Sequence, residues 1–377
     1  MVKVRALAHG LARRGHEVTV LTADLGLAER NGASPPVERC AWGYRLNENG
    51  VEAVYLPSWQ LYRALTWNPG VIGFSRASLK SFDIVHSCGL YDLLGPTVGH
   101  YCRHFGVPYV IEPMGMYRPI DRSFRLKMLW RRTVGHAFWG HAARIIATSE
   151  MDEQELVEEG VPPAKLAVRY NGTDPVSRDA LPAGSFRAKW NIPPDEPIIL
   201  FLSRLIPRKG ADLLIESFAE ACPASGRLVV AGPEGEPGYV AYLQKRAAES
   251  GAGARIIFTG AIYDQDKQAA LADATVFALP SRYENFANVA PEAMASGVPV
   301  IISEFCGIRS IVEGQAGVVI PVERAALTAA LRSLLTDGAL YERYQQGCAR
   351  VAAELSWDSV TEKMEGYYVQ ALAARIQ

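Results

Sequence analysis

The sequence predicts an α/β protein with two doubly wound, Rossmann-like domains, each a parallel sheet covered by helices on both faces. Its 377 residues exceed what one ordinary core holds and suit two domains of roughly 150–200 residues each. Short β-rich apolar runs alternate with segments of helical period. The stretch NGTDPVSRDALPAGSF is rich in Gly, Pro, Ser and Asp, and predicts a linker near 172–186. We therefore expect an N-terminal domain over 1–180 and a C-terminal domain over 181–356.

The strands of both domains are predicted from their apolar runs. In the first domain they cover 18–21, 84–86, 109–111, 144–147 and 166–170. In the second domain they cover 198–202, 227–230, 255–258, 275–279, 298–302 and 317–320. Sheets of this kind bind ligands outside the carboxyl ends of their strands, so a cleft between the two domains is the expected binding site.

The first residues of the chain fit either a strand or a helix. Apolar residues alternate from Val2 to Ala8, as in a strand, but Val4, Leu7 and Leu11 also share one helical face. A strand that ended at Ala8 would leave about five residues for a crossover helix, fewer than the ~10–12 that a βαβ unit needs. We therefore predict a helix, which implies that the first strand usual for such a domain is absent from this chain.

Composition argues against several classes of protein. The net charge is −1, so no overall field attracts the chain to nucleic acid. The six cysteines are scattered and form no Cys-x-x-Cys pair, which argues against a disulfide framework or a zinc site. No apolar run approaches the ~18–20 residues that span a bilayer, and no signal peptide opens the chain. These observations predict a cytoplasmic protein without a metal site.

Two basic residues flank one strand-to-helix loop in the second domain. The stretch IILFLSRLIPRKGADLLIESF predicts a strand, a short loop and a helix that begins near Gly210. The guanidinium of Arg204, the ammonium of Lys209 and the N–H groups of the helix start together suit a diphosphate. The alternative is that both are solvated loop charges. The chain has no G-x-x-x-x-G-K-[ST] motif, which argues against a P-loop nucleoside triphosphatase.

Two glutamates flank the start of another helix, in SRYENFANVAPEAMASGVPVI. Glu284 lies in the loop after a strand, and Glu292 lies in the first turn of the helix that follows. Ionised carboxylates accept hydrogen bonds only, often two each, so they match vicinal diols. One would hold sugar hydroxyls and the other a ribose, with a diphosphate between them. The alternative is helix capping and surface charge.

At these residues the chain resembles the retaining glycosyltransferases of family 4, which use nucleotide sugars and have the GT-B fold. The resemblance extends over most of the chain, through LARRGHEVTVLTAD, FDIVHSCG, ATSEMDEQEL, RYNGTDP, FLSRLIPRKGADLLIESF, RIIFTGAIYDQDKQAALADATVFALPSRYENF and PEAMASGVPVI. It implies that residues 357–377 form a helix that returns to the first domain, which would bind the acceptor. It also implies transfer with retention and without a bound metal or other cofactor.

The resemblance also implies a role for each residue of the two motifs. Arg204 and Lys209 would hold the donor diphosphate, and Glu284 the transferred sugar. Glu292 would hold the ribose hydroxyls, and the backbone around Ile262 would face the base of a UDP- or GDP-sugar. The catalytic residues implied are Glu284, Arg204 and Lys209. The donor-binding residues implied are Arg204, Lys209, Ile262, Glu284, Asn285, Phe286, Ala287, Asn288 and Glu292.

Three departures from the family pattern bear on activity. The usual E-G-F-G is Glu284-Asn285-Phe286-Ala287 here, and the methyl of Ala287 would narrow sugar choice or shift the loop. The family often has a histidine before its acceptor cleft, where this chain has Met114; His86 is the substitute candidate, and Asn171 is a further acceptor-side candidate. The absent first strand would remove a glycine-rich loop that the family uses near the donor phosphates.

The acceptor is predicted only by class, as a saccharide or a lipid-linked molecule. Residues 118–139 combine arginines and lysine with aromatic side chains, a composition that suits either an anionic membrane surface or ordinary packing on the domain. Peripheral contact with the inner membrane face is therefore an expectation. An alternative function is a nucleotide-sugar-binding protein without turnover. A dehydrogenase is disfavoured because no G-x-G-x-x-G follows a strand, and a glycosidase because Glu292 is assigned to ribose rather than to an acid–base pair.

Overall fold

The computed structural model describes residues 2–25, 38–62, 65–117, 124–174, 184–222 and 225–373. They form two compact units. The first unit joins Met1–Tyr170 to Trp357–Gln377, and the second is Asn171–Ser356. The division therefore falls at residue 170, before the predicted linker, whose central residues 175–183 lie outside the described part of the chain.

The first unit contains short strands and helices in alternation. Its strands are β1 (Val18–Ala23), β2 (Glu38–Cys40), β3 (Gly43–Glu48), β4 (Val51–Leu56), β5 (Trp59–Tyr62), β6 (Leu65–Trp67), β7 (Val85–Cys88), β8 (Tyr109–Glu112), β9 (Arg144–Ala147) and β10 (Leu166–Val168). Its helices are α1 (Val2–Arg13), α2 (Gly70–Ser78), α3 (Leu94–Phe105), α4 (Phe124–Trp130), α5 (His136–Gly140), α6 (Glu150–Glu158) and α15 (Trp357–Ala373).

The strands of the first unit form two four-stranded sheets and one hairpin. One sheet has the order β1-β4-β3-β2, in which only β1 and β4 are parallel, and the other is the parallel sheet β10-β9-β8-β7. The predicted α/β architecture is confirmed, while the described strands of this unit divide between two sheets instead of forming one. Among them, β1 and β7 each pair on one side only. Apolar residues join the two sheets, since Val54 of β4 and Ile111 of β8 lie in one buried cluster.

The first described element is a helix, which confirms the prediction for these residues. In α1, Leu7 and Leu11 are buried against Val360 and Met364 of α15. The same cluster includes Val110 of β8, so both helices cover one face of the parallel sheet. Leu7 and Leu11 are four residues apart, which places both on one side of α1, as the sequence pattern indicates. The final helix is thereby part of the core of the first unit.

The contact between α1 and α15 depends on Gly10. A methyl group at this position would lie 2.3 Å from Oγ1 of the buried Thr361. Although alanine favours helices over glycine by about 1 kcal/mol, we expect Gly10→Ala to lower the free energy of unfolding by about 1–3 kcal/mol through overpacking. The matched control is Gly366→Ala, whose methyl would contact nothing within 4 Å. Urea unfolding should show a higher free energy of unfolding for this variant. A gain in both variants would contradict the close approach.

The second unit is a single parallel sheet with helices between its strands. Its strands are β11 (Ile198–Leu202), β12 (Arg227–Ala231), β13 (Ile256–Gly260), β14 (Val276–Leu279), β15 (Val300–Ser303) and β16 (Gly317–Ile320). Its helices are α7 (Ser185–Trp190), α8 (Ala211–Ala221), α9 (Tyr239–Glu249), α10 (Asp264–Asp273), α11 (Val289–Ala295), α12 (Arg309–Val312), α13 (Arg324–Thr336) and α14 (Gly338–Glu354).

The strand order of the second unit is that of a doubly wound nucleotide-binding sheet. The order β13-β12-β11-β14-β15-β16 reverses direction between β11 and β14. Every pairing is parallel. The strands are fully buried in their centres, with Leu200 and Phe277 at 0% exposure, because helices cover both faces. The fold predicted for this domain is confirmed, and its strands agree with the predicted ones to within two residues at each end.

Candidate active site

The polar residues singled out in the sequence follow the two central strands of the second unit. Arg204 and Lys209 come after β11, and Glu284 and Glu292 come after β14. These strands are neighbours, and the winding of the sheet reverses between them. The crevice at the carboxyl ends of such a pair is where doubly wound sheets bind nucleotides. The topology therefore brings both motifs to the expected edge of the sheet.

The loop after β11 presents one free cation and one paired cation. Arg204 is exposed, and its guanidinium has no ion pair or hydrogen bond within the described residues. Lys209 is buried, at 8% exposure, and closes a 3₁₀ turn over Pro207–Lys209. Gly210 follows with φ of 76°, and a Cβ there would lie 2.2 Å from the carbonyl oxygen of Pro280. Only glycine permits this approach, which presses the start of α8 against the end of β14.

Glu284 is fixed by its backbone as well as by its side chain. Its N–H donates to the carbonyl of Phe305 at 2.9 Å, and its carbonyl accepts from Gly307 N–H at 2.9 Å. The loop after β14 is thereby held to the loop after β15. The carboxylate forms a nearly buried ion pair with Lys209. The site thus pairs the acid assigned to the sugar with the cation assigned to the diphosphate.

Glu292 has a different cationic partner, which the sequence motifs do not reveal. Its Oε2 lies 2.8 Å from Nζ of Lys267, which belongs to α10. Both side chains remain partly exposed. Glu292 lies in the first turn of α11, directly after Pro291, whose fixed φ is compatible with the start of a helix. Each of the two acids is therefore matched with one lysine from a different element.

The loop between Glu284 and α11 is buried at its centre. Phe286 and Ala287 have 2% and 3% exposure, and Ala287 has a φ of 58°. This left-handed conformation favours glycine and costs other residues roughly 1–2 kcal/mol. Asn288 accepts a hydrogen bond of 3.2 Å from Nδ2 of Asn171. Asn171 therefore lies in the second unit, beside the donor loop, whereas it was proposed from the sequence as an acceptor-side residue.

The strand end assigned to the base lies beside an exposed aromatic ring. Ile262, at 9% exposure, follows Gly260 at the end of β13, and Tyr263 next to it is 66% exposed. Gly232, after β12, donates its N–H to the carbonyl of Gly260 at 2.8 Å. A Cβ at Gly232 would lie 1.8 Å from the Ser203 carbonyl oxygen, so the ends of β11, β12 and β13 approach closely here.

In the first unit, His86 belongs to a buried charge cluster. Its Nδ1 lies 2.8 Å from the hydroxyl of Tyr368, and its Nε2 lies 3.4 Å from Oε2 of Glu112. Glu112 also accepts a 2.6 Å hydrogen bond from the guanidinium of Arg169. Burial alone would raise the pKa of Glu112, but Arg169 and then His86 outweigh it and lower this pKa to about 2. Burial opposes protonation of His86, but Tyr368, Cys88 and Glu112 raise its pKa well above 6.5.

Within the described residues, the same cluster contains side chains of the types that bind metal ions. One ligand atom each from His86, Cys88 and Glu112 lies within 4.8 Å of the others. The guanidinium of Arg169 already neutralises Glu112, which favours an ion-pair network over a cation site. Met114, the other acceptor-side candidate, follows β8 with a φ of 56°. His86 lies within β7 and Met114 follows the neighbouring strand β8, and their acceptor-side roles remain predictions.

Three comparisons with known proteins bear on this site. Residues 2–172 match the model of the glycosyl transferase 4-like domain, and residues 184–349 match that of glycosyl transferases group 1. The chain is 30% identical to a GDP-mannose-dependent alpha-mannosyltransferase of Mycobacterium tuberculosis, over 97% of this chain and 90% of the relative. It is 28% identical to a D-inositol 3-phosphate glycosyltransferase of Xylanimonas cellulosilytica, over 99% and 92%.

A solved structure shows the same fold. The Anabaena protein HepE in complex with UDP and glucose has a TM-score of 0.72 and 18% identity, covering 98% of this chain and 95% of that one. Fold and site thus define the class of protein, a glycosyltransferase of the GT-B type. More narrowly, the chain belongs to the family in which a 4-like domain precedes a group 1 domain.

Residues 118–139 are described from position 124 onward. The aromatic residues Phe138 and Trp139 are buried, at 4% and 7% exposure, and Trp130 packs partly against the same core. Leu126 and Leu129, by contrast, are 59% and 60% exposed. The aromatic half of this stretch is therefore domain packing, whereas its leucines face solvent. In the described part of the chain, no helix has both the length and the apolar content needed to cross a bilayer.

Proposed function

We propose that this glycosyltransferase moves a sugar from a UDP- or GDP-sugar to a saccharide or lipid-linked acceptor, with retention of configuration and without a bound metal. The observation that carries the proposal is the pairing of Glu284 with Lys209 at the switch point of the second sheet. The proposal is supported by this pair because a carboxylate can accept hydrogen bonds from sugar hydroxyls and an ammonium can face a leaving diphosphate. Its place in the family and the UDP complex of a protein with the same fold support the choice of donor.

In the proposed mechanism, the second unit supplies binding and electrostatic stabilisation. Negative charge develops on the diphosphate as the bond to the sugar breaks, and Arg204 and Lys209 stabilise it there. We assign no covalent nucleophile in the loop after β14, so the acceptor oxygen bonds to the sugar on the face from which the diphosphate leaves, and its proton passes to an oxygen of the departing diphosphate. The carboxylate of Glu284 orients the transferred sugar through its hydroxyls. Glu292 holds the ribose.

The experiment that tests this function combines a donor screen with analysis of the product. UDP-, GDP- and ADP-sugars are compared for thermal stabilisation, since a ligand that binds only the folded state raises the melting temperature. The stabilising donor is then incubated with candidate acceptors, and the anomeric configuration of the product is read by NMR. Retention in the presence of a chelator is the expected result. Inversion, or a requirement for added metal, would overturn the mechanism.

The phosphate assignment predicts the effect of removing either cation. We expect Arg204→Ala and Lys209→Ala each to weaken nucleoside diphosphate binding by about 1.5–3 kcal/mol, the range for hydrogen bonds to charged groups. The loss should be larger for Lys209→Ala, because it also leaves Glu284 unpaired near the phosphates. Calorimetric titration measures both, with exposed Arg350→Ala as the control of equal charge. Unchanged affinity in both variants would remove the assignment.

The ion pair of Glu292 predicts a role for Lys267 in donor binding. The ammonium offsets repulsion between Glu292 and a bound diphosphate, so Lys267→Met should weaken UDP or GDP binding by about 1 kcal/mol at this partly exposed position. If Lys267 also orients Glu292, the preference for ribose over 2′-deoxyribose nucleotides should shrink in the same variant. Lys245→Met, exposed on α9, is the matched control. An unchanged ribose preference would show that Lys267 compensates the charge of Glu292 but does not orient its carboxylate.

A further inference from the structure

Tyr263 has the most exposed ring among the aromatic residues described in the second unit. It is 66% exposed, and within the described residues no other aromatic ring packs against it. The exposed Tyr242, by contrast, stacks on Tyr239 with ring centroids 5.7 Å apart. Single exposed apolar side chains are common on protein surfaces, so the position of Tyr263 decides what its ring can do.

The ring of Tyr263 stands at the ligand-binding edge of the sheet. The residue lies in the short loop that leaves the carboxyl end of β13 and leads into α10. This is the edge at which doubly wound sheets bind nucleotides. Ile262, in the same loop, is only 9% exposed, so Tyr263 supplies the open side chain of this loop. A backbone segment assigned to the base is therefore followed directly by an exposed aromatic ring.

Tyr263 also occupies a position that usually favours other residue types. It is the N-cap of α10, with φ of −137° and ψ of 168°, and its side chain forms no capping hydrogen bond. Ser, Thr, Asp and Asn are preferred there, because their short side chains bond the free N–H groups of the first turn. A local preference broken in this way is typical of a functional site, which indicates a contact with a molecule outside the chain.

Tyr263 lies one helical turn before Lys267, which is the partner of Glu292. The N–H of Lys267 donates to the carbonyl of Tyr263 at 3.2 Å, and Nζ of Lys267 lies 2.8 Å from Oε2 of Glu292. Residues four positions apart on a helix have Cβ atoms about 5–6 Å apart. In a nucleoside, the carbon that bears the base is bonded to the carbon that bears the 2′-hydroxyl. A ribose held by Glu292 would therefore present its base within reach of the Tyr263 ring.

We infer that the ring of Tyr263 stacks on the nucleobase of the donor and holds it at the edge of the sheet. The inference rests on the proposed function, which assigns Glu292 to the ribose. Every base has a π face, so stacking strengthens nucleoside binding without selecting one base. The ring thus distinguishes a nucleoside diphosphate from free pyrophosphate, which offers its charges to Arg204 and Lys209 but carries no base.

The test is calorimetric titration of the full chain with UDP, GDP and inorganic pyrophosphate. Tyr263→Ala should weaken binding of the nucleoside diphosphate about 5- to 150-fold, the range for removing an aromatic ring from a stacked base. Pyrophosphate binding should stay unchanged. Tyr263→Phe should bind as wild type does, because stacking uses the ring rather than the hydroxyl. Tyr242→Ala, which removes an exposed ring from α9, is the matched control.

NMR of the bound nucleotide adds a measurement that a purely structural role would not change. The ring protons of the base should shift upfield with wild type and with Tyr263→Phe, because they lie over an aromatic ring, and this shift should disappear with Tyr263→Leu at saturation. Melting temperature verifies folding of each variant.

The outcomes separate this inference from the proposed function. Equal losses for nucleotide and pyrophosphate in Tyr263→Ala, or equal losses in Tyr263→Phe and Tyr263→Ala, would overturn the stacking role. Unchanged nucleotide affinity in Tyr263→Ala would overturn it and leave the proposed function intact. A wild-type chain that binds no nucleoside diphosphate would remove both.

Discussion

Replacing Glu284 by glutamine should reduce sugar transfer about 10²–10³-fold while nucleoside diphosphate binding is kept or strengthened. The loss follows from removing a preorganised group that acts on the transferred sugar, for which effects of this size are typical. The gain in nucleotide binding follows from the ion pair, because Lys209 loses its carboxylate partner and is free for the phosphates. The two measurements are initial rates of transfer and calorimetric titration with UDP or GDP.

A control variant distinguishes this effect from a general change of charge. Glu313→Gln removes an exposed acid of the same unit and should leave both quantities unchanged. Weaker nucleotide binding in Glu284→Gln would mean that the acid, and not Lys209, contacts the diphosphate. Full transfer activity in the variant would place the sugar contact on another residue.

The largest effect on stability is expected from Arg169→Met in the first unit. Arg169 has 1% exposure and Glu112 has 2%, so the substitution leaves a buried carboxylate without its guanidinium. Removing one partner of a buried ion pair typically costs about 3–5 kcal/mol. Urea unfolding near neutral pH measures the loss. The double variant Arg169→Met/Glu112→Gln should recover part of it, because the uncompensated charge is then gone.

The pH dependence of this loss has a definite sign. The pKa of Glu112 is about 2 in the folded chain against 4.5 for an ordinary carboxyl, so its contribution is complete above about pH 4.5 and is lost as pH falls toward 2. The pKa of His86 is raised, so its contribution is present below 6.5 and is lost as pH rises through the higher folded value. Without Arg169 the pKa of Glu112 rises, so the deficit of the variant should shrink on acidification.

An exposed ion pair is the control for the buried one. Arg13 and Asp358 lie 2.8 Å apart with side chains 58% and 81% exposed, so Arg13→Met should change the free energy of unfolding by no more than about 1 kcal/mol. Equal losses in Arg13→Met and Arg169→Met would show that burial does not set the strength of the inner cluster. A pH-independent deficit in Arg169→Met would remove Glu112 from the explanation.

The second unit was the easier part to predict, for a physical reason. Strands such as Ile198–Leu202 are buried on both faces and therefore read as continuous apolar runs. Pro and Gly also mark the ends of a helix locally, as do Pro291 in the first turn of α11 and Gly297 two residues after its end. The positions of these strands and helices could therefore be predicted from local patterns, whereas the order of the strands could not.

In the first unit, the missed strands have weaker signals. β3 (Gly43–Glu48) is largely exposed, and its polar composition hides its pairing with β4. β4 is a mostly apolar run of only six residues without strict alternation, and periodicity over so short a run does not distinguish a helix from a strand. The division of the strands between two sheets depends on pairing partners, and no local pattern encodes that choice.

The same distinction holds for the site. Arg204, Lys209, Glu284 and Glu292 stand in recognisable loops beside strand ends, so sequence could select them. The partner of Glu292 could not be selected, because Lys267 lies on a helix 25 positions earlier and meets the acid only through the fold. Arg169 was missed for a related reason: an arginine in an apolar strand context reveals nothing about the buried glutamate that it faces across the sheet.

With the proposed donor assignment, the pairing of Glu284 with Lys209 should also determine how the enzyme discriminates among small molecules. A free hexose would meet an acid whose Oε2 is already engaged by Lys209, and it carries no anion to compete for the ammonium. A nucleotide sugar brings both: its diphosphate competes with Glu284 for Lys209, and its sugar hydroxyls then bind the released carboxylate. We therefore expect selectivity for the intact donor to exceed the product of the affinities for its separate halves.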